Sequence, residues 1–252
     1  MLSDTLLGIF IPLIGTVVGA ATVFFMGGGV KPSLTRFLSG FAAGVMVAAS
    51  VWSLLIPSID SASALGTLAF IPAATGFFFG ILVLLLTDRF IPLGSICEDG
   101  TSKHTAMLVL AVTLHNLPEG VAVGAVYAGL LSGSTDITAA SALALATGIG
   151  LQNLPEGAII SMPLYSSGKS RKKAFFIGAL SGIVEPLGAA LALLLYKYIA
   201  ILPFLLAFAA GAMIYVVIEE LVPEAQDEKD KVAILSFTLG FLLMMTLDVT
   251  LG

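Results

Sequence analysis

Two nearly identical polar hexapeptides lie within two neighbouring hydrophobic stretches of the chain. Residues 115–120 read His-Asn-Leu-Pro-Glu-Gly, and residues 152–157 read Gln-Asn-Leu-Pro-Glu-Gly. Each hexapeptide is near the middle of an apolar stretch that is long enough to cross a bilayer. An ionisable side chain costs about 3 kcal/mol or more at that depth, so it is rare there unless it has a function. The two motifs therefore indicate a polar site inside a membrane.

The spacing within each motif places its ligand-type side chains together. His115 and Glu119 are four residues apart, as are Gln152 and Glu156, and residues four apart share one helix face. Each proline lacks an N–H, so the carbonyl four residues earlier loses its helical hydrogen bond. We also expect the glycine after each glutamate to loosen the next turn. The motifs thus predict two broken helices whose side chains and freed carbonyls form a mid-membrane ion site, as in transporters.

The composition and the hydrophobic spans predict an all-α polytopic membrane protein. Of the 252 residues, 58% are hydrophobic and 11% are charged, and the mean hydropathy is +1.07, which exceeds what a soluble domain needs. A crossing takes about 20 residues. We therefore expect one transporter domain over residues 1–252, with eight transmembrane helices at about 5–27, 35–57, 64–87, 106–131, 138–164, 173–196, 201–222 and 231–251. Spans 4 and 5 carry the two motifs and are the predicted broken helices.

Basic and small residues predict how these spans are arranged. Ten of the eleven Lys and Arg residues follow odd-numbered spans, and only Lys197 follows an even-numbered one. The positive-inside rule then places the loops after odd-numbered spans in the cytoplasm and both termini outside it. Pairs of small residues four apart, such as Gly15 with Gly19 and Gly76 with Gly80, predict close packing between helix backbones.

A third intramembrane carboxylate, Glu185, lies near the middle of span 6, level with Glu119 and Glu156, and is followed by Pro186. Carboxylates that lie close together repel one another unless they are protonated or bind a cation. A divalent metal would satisfy the three carboxylates, the histidine and the amides at once. Imidazole, carboxylate and amide oxygen suit Zn, Cd, Fe, Mn or Co, and zinc is the first choice because affinity generally rises along the divalent series toward it. Cys97 is the single cysteine, which excludes a thiolate cluster.

These features resemble the ZIP (Zrt/Irt-like protein) family of metal transporters, most closely its bacterial GufA-like branch. The resemblance covers the whole chain, with its eight spans and its paired motifs on spans 4 and 5. It implies a secondary transporter in a bacterial inner membrane that takes up zinc or a similar divalent metal into the cytoplasm. The metal site that the family forms on helices 4 to 6 carries over to His115, Asn116, Glu119, Gln152, Asn153, Glu156 and Glu185.

Other residues are candidates for a metal pathway. By the same resemblance, Met46 and Ser53 match a stretch of helix 2 that lines the path in this branch, although a lone methionine more often only packs. Asp88, Glu219 and Glu220 lie at predicted cytoplasmic helix ends, where they are either solvated charges or a metal relay at the exit. His104, in the predicted cytoplasmic loop 88–105, is a further candidate for weak metal binding.

The chain departs from the family pattern at two places. The loop between spans 3 and 4 holds only His104, where the family often has many histidines. Related members carry an aspartate at the position of Asn153 and often His-Glu at that of Glu219 and Glu220. Because an amide adds no charge to neutralise a second ion, we expect one well-occupied metal.

Two other functions are compatible with the sequence. His115, Glu119 and Glu156 could hold a zinc with an open position for water, as in an intramembrane zinc-dependent metalloenzyme. The chain lacks a His-Glu-x-x-His motif and a spare general base, so we expect no enzymatic activity and no catalytic residues. A divalent-cation channel without alternating access is the second alternative. The expected partners are the lipid bilayer and divalent metal ions, with a homodimer as one option and with neither nucleotide nor nucleic acid.

Overall fold

The computed structural model describes residues 2–25, 31–90, 103–132, 137–195, 201–227 and 231–251. Within these ranges the backbone is almost entirely helical and forms no β-strand, which confirms the all-α prediction. The helices are α1 (Leu2–Ala21), α2 (Pro32–Ala49), α3 (Ile56–Ser61), α4 (Phe70–Phe90), α5 (Lys103–Ser132), α6 (Ala139–Ser166), α7 (Arg171–Ser181), α8 (Val184–Leu195), α9 (Leu202–Val216), α10 (Val222–Ala225) and α11 (Val232–Leu251).

Short segments of other helical types extend or join these helices. A 3₁₀ turn at Thr22–Phe25 continues α1, and another at Ser63–Leu68 connects α3 to α4. The segments Ser50–Leu55 and Val217–Leu221 are π-helical and join α2 to α3 and α9 to α10. Single π-helical turns inside longer helices often occur at functional sites.

Six helical segments in the described ranges are long and apolar enough to cross a membrane: Thr5–Phe25, Pro32–Ser61, Phe70–Thr87, Arg171–Leu195, Leu202–Ala225 and Val232–Thr250. They correspond to the predicted spans 1, 2, 3, 6, 7 and 8. The helices α5 and α6 correspond to spans 4 and 5, have 30 and 28 residues, and carry the two polar motifs.

The helix interruptions do not lie at the motif prolines. Pro118 and Pro155 are interior residues of α5 and α6, and both helices continue on either side of them. A proline inside a helix removes one hydrogen bond, but its φ of about −65° is still helical, so the predicted breaks appear only as missing bonds. Span 6 is instead divided between Ser181 and Val184. There the carbonyl of Gly182 accepts a hydrogen bond from the N–H of Glu185 at 3.1 Å.

The helices pack mainly as four pairs, in which α1 contacts α6, α2 contacts α11, α4 contacts α9, and α5 contacts α8. Glycines allow the close approach in each pair. A Cβ atom added to Gly15, Gly44 or Gly80 would lie within 2.1 Å of a backbone oxygen on the partner helix. The predicted packing role of the small-residue pairs is therefore confirmed for these glycines.

Apolar side chains point outward, while polar side chains meet in the middle of the helix assembly. Phe78, Leu187 and Val249 are among the exposed large apolar residues, as is usual for side chains that face lipid. The buried polar residues include the carboxylates and amides of the two motifs together with Glu185. The fold thus brings α1, α5, α6 and α8 around one polar cluster.

Candidate metal site

The described polar side chains of the two motifs, together with Glu185, are fully enclosed by the protein. Asn116, Glu119, Gln152, Asn153, Glu156 and Glu185 each expose 1% or less of their surface. Burial of charged and polar groups is costly unless hydrogen bonds or ions compensate for the lost water. The backbone of His115 belongs to α5, but its side chain lies outside the described part of the structure.

Glu119 and Gln152 connect the two motifs directly. The side-chain nitrogen Nε2 of Gln152 donates a hydrogen bond to Oε1 of Glu119. This contact joins α5 to α6 near their prolines, where each helix lacks one backbone hydrogen bond. Because Nε2 binds an acceptor, the amide oxygen of Gln152 points away from Glu119.

Glu185 accepts hydrogen bonds from side chains of three other helices. Its Oε1 accepts hydrogen bonds from Oγ1 of Thr16 at 2.7 Å, Nδ2 of Asn153 at 2.9 Å and Nδ2 of Asn116 at 3.1 Å. These donors come from α1, α6 and α5, so four helices meet at one carboxylate oxygen. Hydrogen bonds to an ionised acceptor are stronger than those between neutral groups, which stabilises a negative charge at this buried position.

The two asparagines also satisfy backbone carbonyls through the same nitrogens. Nδ2 of Asn116 donates to the carbonyl of Ser181 at 3.3 Å, and Nδ2 of Asn153 donates to that of Pro12 at 3.4 Å. Ser181 is the last residue of α7, where carbonyls lack helical partners. All the described partners of these nitrogens are acceptors, so the amide oxygens must point elsewhere.

Within the described part of the structure, three buried amide oxygens accept no hydrogen bond: Oδ1 of Asn116, Oε1 of Gln152 and Oδ1 of Asn153. Buried acceptors of this kind are uncommon in folded proteins and call for a bound water or ion. Amide and carboxylate oxygens are suitable ligands for a divalent cation. The cluster therefore offers amide oxygen ligands from α5 and α6, in addition to buried carboxylates.

The described side chains contain no group of three or more His, Cys, Asp or Glu residues that could hold a metal ion. A metal site in the cluster would therefore need amide oxygens as well as carboxylates. A site shared by Glu119, Glu156 and Glu185 stays a prediction. The contribution of His115 lies outside the described part of the chain.

The motif glycines have a packing role that the sequence pattern did not predict. A Cβ atom added to Gly120 would lie 2.0 Å from the carbonyl oxygen of Glu185, and one added to Gly157 would lie 2.1 Å from that of Thr16. The helices α5 and α6 also continue through these glycines. The expected loosening of the next turn stays a prediction. Each glycine is needed because a neighbouring backbone passes where a side chain would stand.

The predicted pathway residues on span 2 lie in two different environments. Met46 is fully buried in the apolar core. Ser53 is 7% exposed, and its hydroxyl donates to Oδ1 of Asp248 at 2.6 Å. Both Ser53 and Asp248 line a cavity of about 200 Å³, together with Asp60 and Trp52. Asp248 was not among the predicted residues, although a carboxylate near the end of a largely apolar span is a visible signal.

The other predicted residues lie away from the two motifs in the chain. Glu219 is exposed and Glu220 is half-buried, and both belong to the π-helical segment Val217–Leu221. Asp227, which follows this segment by six residues, forms an ion pair with Arg36 of α2. The side chains of Asp88 and His104 lie outside the described part of the structure, as do Cys97 and Lys197.

Comparison with known proteins relates the chain to transporters. The family model of the ZIP Zinc transporter matches residues 95–248. Zinc transporter ZIP11 of Homo sapiens is 35% identical over 99% of this chain and 97% of its own length. Zinc transporter GufA of Myxococcus xanthus is 36% identical over 80% of this chain and 81% of its own length. Zinc transporter ZupT of Chlorobaculum parvum is 33% identical over 94% of this chain and 92% of its own length.

Proposed function

Because this chain belongs to the ZIP zinc transporter family, which is a family of transporters and not of enzymes, we propose that it transports zinc or a similar divalent metal across a membrane. The integral membrane location agrees with the six long apolar helical segments found among the described residues. The observation that carries the proposed site is a set of three buried amide oxygens that have no hydrogen-bond partner among the described residues and that lie next to buried carboxylates. A metalloenzyme is not supported by this family membership.

The charges of the cluster favour a divalent cation as its ligand. Glu119, Glu156 and Glu185 are all buried, and three ionised carboxylates would carry a charge of about −3 in a medium of low dielectric. A bound divalent metal removes most of this repulsion. We infer that Glu119, Glu156 and Glu185 supply charge, that Asn116, Gln152 and Asn153 supply amide oxygens, and that His115 completes the ligand set. Zinc is the first candidate, with Cd, Fe, Mn and Co as related substrates.

Burial of the site favours a transporter over a simple channel. Each described polar side chain of the cluster is at most 1% exposed, so a metal ion at this position would be shielded from water. A permanently open channel would keep its ligands wet, whereas a carrier exposes them by a conformational change. We therefore propose alternating exposure of this site to the two sides of the membrane.

The charge distribution suggests the direction of transport. We propose that eight helices cross a bacterial plasma membrane with both termini outside, because ten of the eleven Lys and Arg residues follow odd-numbered spans. The cavity beside Ser53 and Asp248 would then face outward, and Glu219 and Glu220 would face the cytoplasm. Metal would enter near Asp248, bind in the cluster and leave past Glu220, which corresponds to uptake.

Zinc flux into liposomes that contain the purified protein tests this function. Glu119→Gln and Glu156→Gln preserve the side-chain shape but remove a charge, so we expect each to lower zinc flux by more than about tenfold. Glu224→Gln is the matched control, because Glu224 is exposed on α10, and its flux should equal that of the unmodified protein. Near-normal flux in a correctly folded Glu119→Gln or Glu156→Gln protein would show that the site is misassigned.

A further inference from the structure

The helix α1 contributes a polar side chain to the cluster that neither hexapeptide indicated. Thr16 is fully buried, and its hydroxyl lies 2.7 Å from Oε1 of Glu185 and 3.4 Å from the carbonyl of Pro12. A hydroxyl has one proton to donate, and the shorter distance assigns that proton to the carboxylate. A threonine in a membrane helix usually bonds back to its own helix, but this one reaches across to α8.

Thr16 packs closely against two glycines. A Cβ atom added to Gly182 would lie 2.9 Å from Cβ of Thr16 and 3.0 Å from its Oγ1. A Cβ atom added to Gly157 would lie 2.1 Å from the carbonyl oxygen of Thr16. Gly157 directly follows Glu156, and Gly182 lies in the interruption between α7 and α8. The backbone and the side chain of Thr16 are therefore both enclosed where α1 meets α6 and span 6.

The described side-chain hydrogen bonds of Glu185 distinguish its two carboxylate oxygens, because they all go to Oε1. Oε1 already accepts hydrogen bonds from Thr16, Asn116 and Asn153, which is more than its two lone pairs accommodate with ideal geometry. A metal ion therefore has no favourable approach to Oε1. Among these three described donors, Thr16 supplies the shortest bond and the only hydroxyl.

We propose that Thr16 is a positioning residue for metal binding, which orients the carboxylate of Glu185 so that Oε2 is the oxygen that contacts the metal. This inference rests on the proposed function, because the metal is the transported ion. Loss of the hydroxyl would let the carboxylate rotate and would also remove a bond to a charged group. A hydrogen bond of that kind typically contributes enough to change an equilibrium constant by about tenfold or more.

Paired substitutions separate this role from simple packing. Thr16→Val keeps the shape of the side chain and loses the hydroxyl, whereas Thr16→Ser keeps the hydroxyl and loses a methyl group. We expect Thr16→Val to weaken zinc binding by about tenfold and to raise the KM for zinc flux by a similar factor. Thr16→Ser should stay within about threefold of the unmodified protein. A packing role predicts the reverse order, and that order would overturn the proposal.

Further variants keep the test decisive. If Thr16→Val does not fold, Thr16→Ala and Thr16→Ser are compared, because both lack the methyl group and only Thr16→Ser has the hydroxyl. Equal zinc affinities in that pair would overturn the proposal. In a Glu185→Gln background, Thr16→Val should have little further effect on zinc affinity, and an undiminished tenfold effect would also contradict it.

The same flux series distinguishes the inference from the function on which it rests. The unmodified protein and the Glu119→Gln variant are measured together with the Thr16 variants. If the unmodified protein moves no zinc or other divalent metal, the proposed function and the inference both fail. A second outcome is that the unmodified protein transports zinc, the Glu119→Gln variant does not, and the Thr16→Val variant transports zinc like the unmodified protein. In that case only the inference about Thr16 fails.

Discussion

The hydroxyl of Ser53 donates a hydrogen bond of 2.6 Å to Oδ1 of Asp248, which joins the π-helical segment after α2 to the last helix of the chain. The other carboxylate oxygen of Asp248, Oδ2, is buried and accepts no hydrogen bond from any residue that the structure describes. Both residues line the same cavity of about 200 Å³. A largely buried carboxylate at the wall of a cavity attracts cations, because little water screens its charge.

Removal of the charge of Asp248 should weaken the capture of metal from solution. Asp248→Asn keeps an oxygen that can accept from Ser53 but is neutral, so we expect the KM for zinc flux to rise about threefold to tenfold. The matched control is Asp60→Asn, which removes a charge from an exposed position of the same cavity and should have a smaller effect because water screens that charge. An unchanged KM in Asp248→Asn, measured in liposomes, would exclude Asp248 from the pathway.

Gly120 should tolerate no side chain. Its added Cβ would lie 2.0 Å from the carbonyl oxygen of Glu185, so Gly120→Ala must push α5 away from α8. Overpacking of this kind costs about 1–3 kcal/mol or more, and we expect a lower unfolding temperature in detergent together with loss of zinc flux. Gly178→Ala is the milder control, because its nearest neighbour is the side-chain methyl of Ala20 at 3.0 Å. Equal unfolding temperatures of the two variants would contradict the packing argument.

The sequence was sufficient to predict the helical class and the position of most helices. Apolar stretches of about 20 residues are a strong signal, and six of the eight predicted spans correspond to helices that could cross a membrane. The interruptions were not predictable in the same way. Pro118 and Pro155 permit continued helix, whereas the π-helical turn at Ser50–Leu55 contains Ser53, which contacts a helix almost two hundred residues later.

The central site was predictable only where the chemistry was visible in one short stretch. The two hexapeptides and Glu185 carry charge or amides at mid-span, and each of their described polar side chains is buried. Thr16 was missed because a single threonine in an apolar helix usually satisfies its own backbone. Its role depends on the contact of α1 with α6 and α8, and no local pattern in the chain specifies that contact.

The predicted orientation places the loop after α6 in the cytoplasm. With Cys97→Ser as background, a cysteine introduced by Ser167→Cys should not react with an impermeant thiol reagent in intact cells and should react after the membrane is opened. Ser167 is exposed, so lack of reaction would not result from burial. A cysteine introduced by Ser63→Cys, which is exposed in the predicted outer linker, should react in intact cells. The opposite pattern at the two positions would reverse the topology.

The number of metals in the site depends on the charge at position 153. Nδ2 of Asn153 donates to Oε1 of Glu185 at 2.9 Å, so Asn153→Asp would replace a donor with a second negative oxygen. Two carboxylate oxygens in such contact repel strongly in a medium of low dielectric. The metal-free variant should therefore be less stable than the unmodified protein, and a second divalent cation would relieve the repulsion.

We therefore predict that the unmodified protein binds one zinc ion tightly and that Asn153→Asp binds two. One divalent ion reduces the charge of three carboxylates to about −1, whereas two raise it to about +1, and two ions about 3.5–4 Å apart need bridging anions. Calorimetric titration gives the stoichiometry, and zinc should raise the unfolding temperature of Asn153→Asp more than that of the unmodified protein. Asn153→Ala, which removes the donor without adding charge, should still bind a single ion. Two equally tight ions in the unmodified protein would show that amide oxygens and three carboxylates suffice to hold a metal pair.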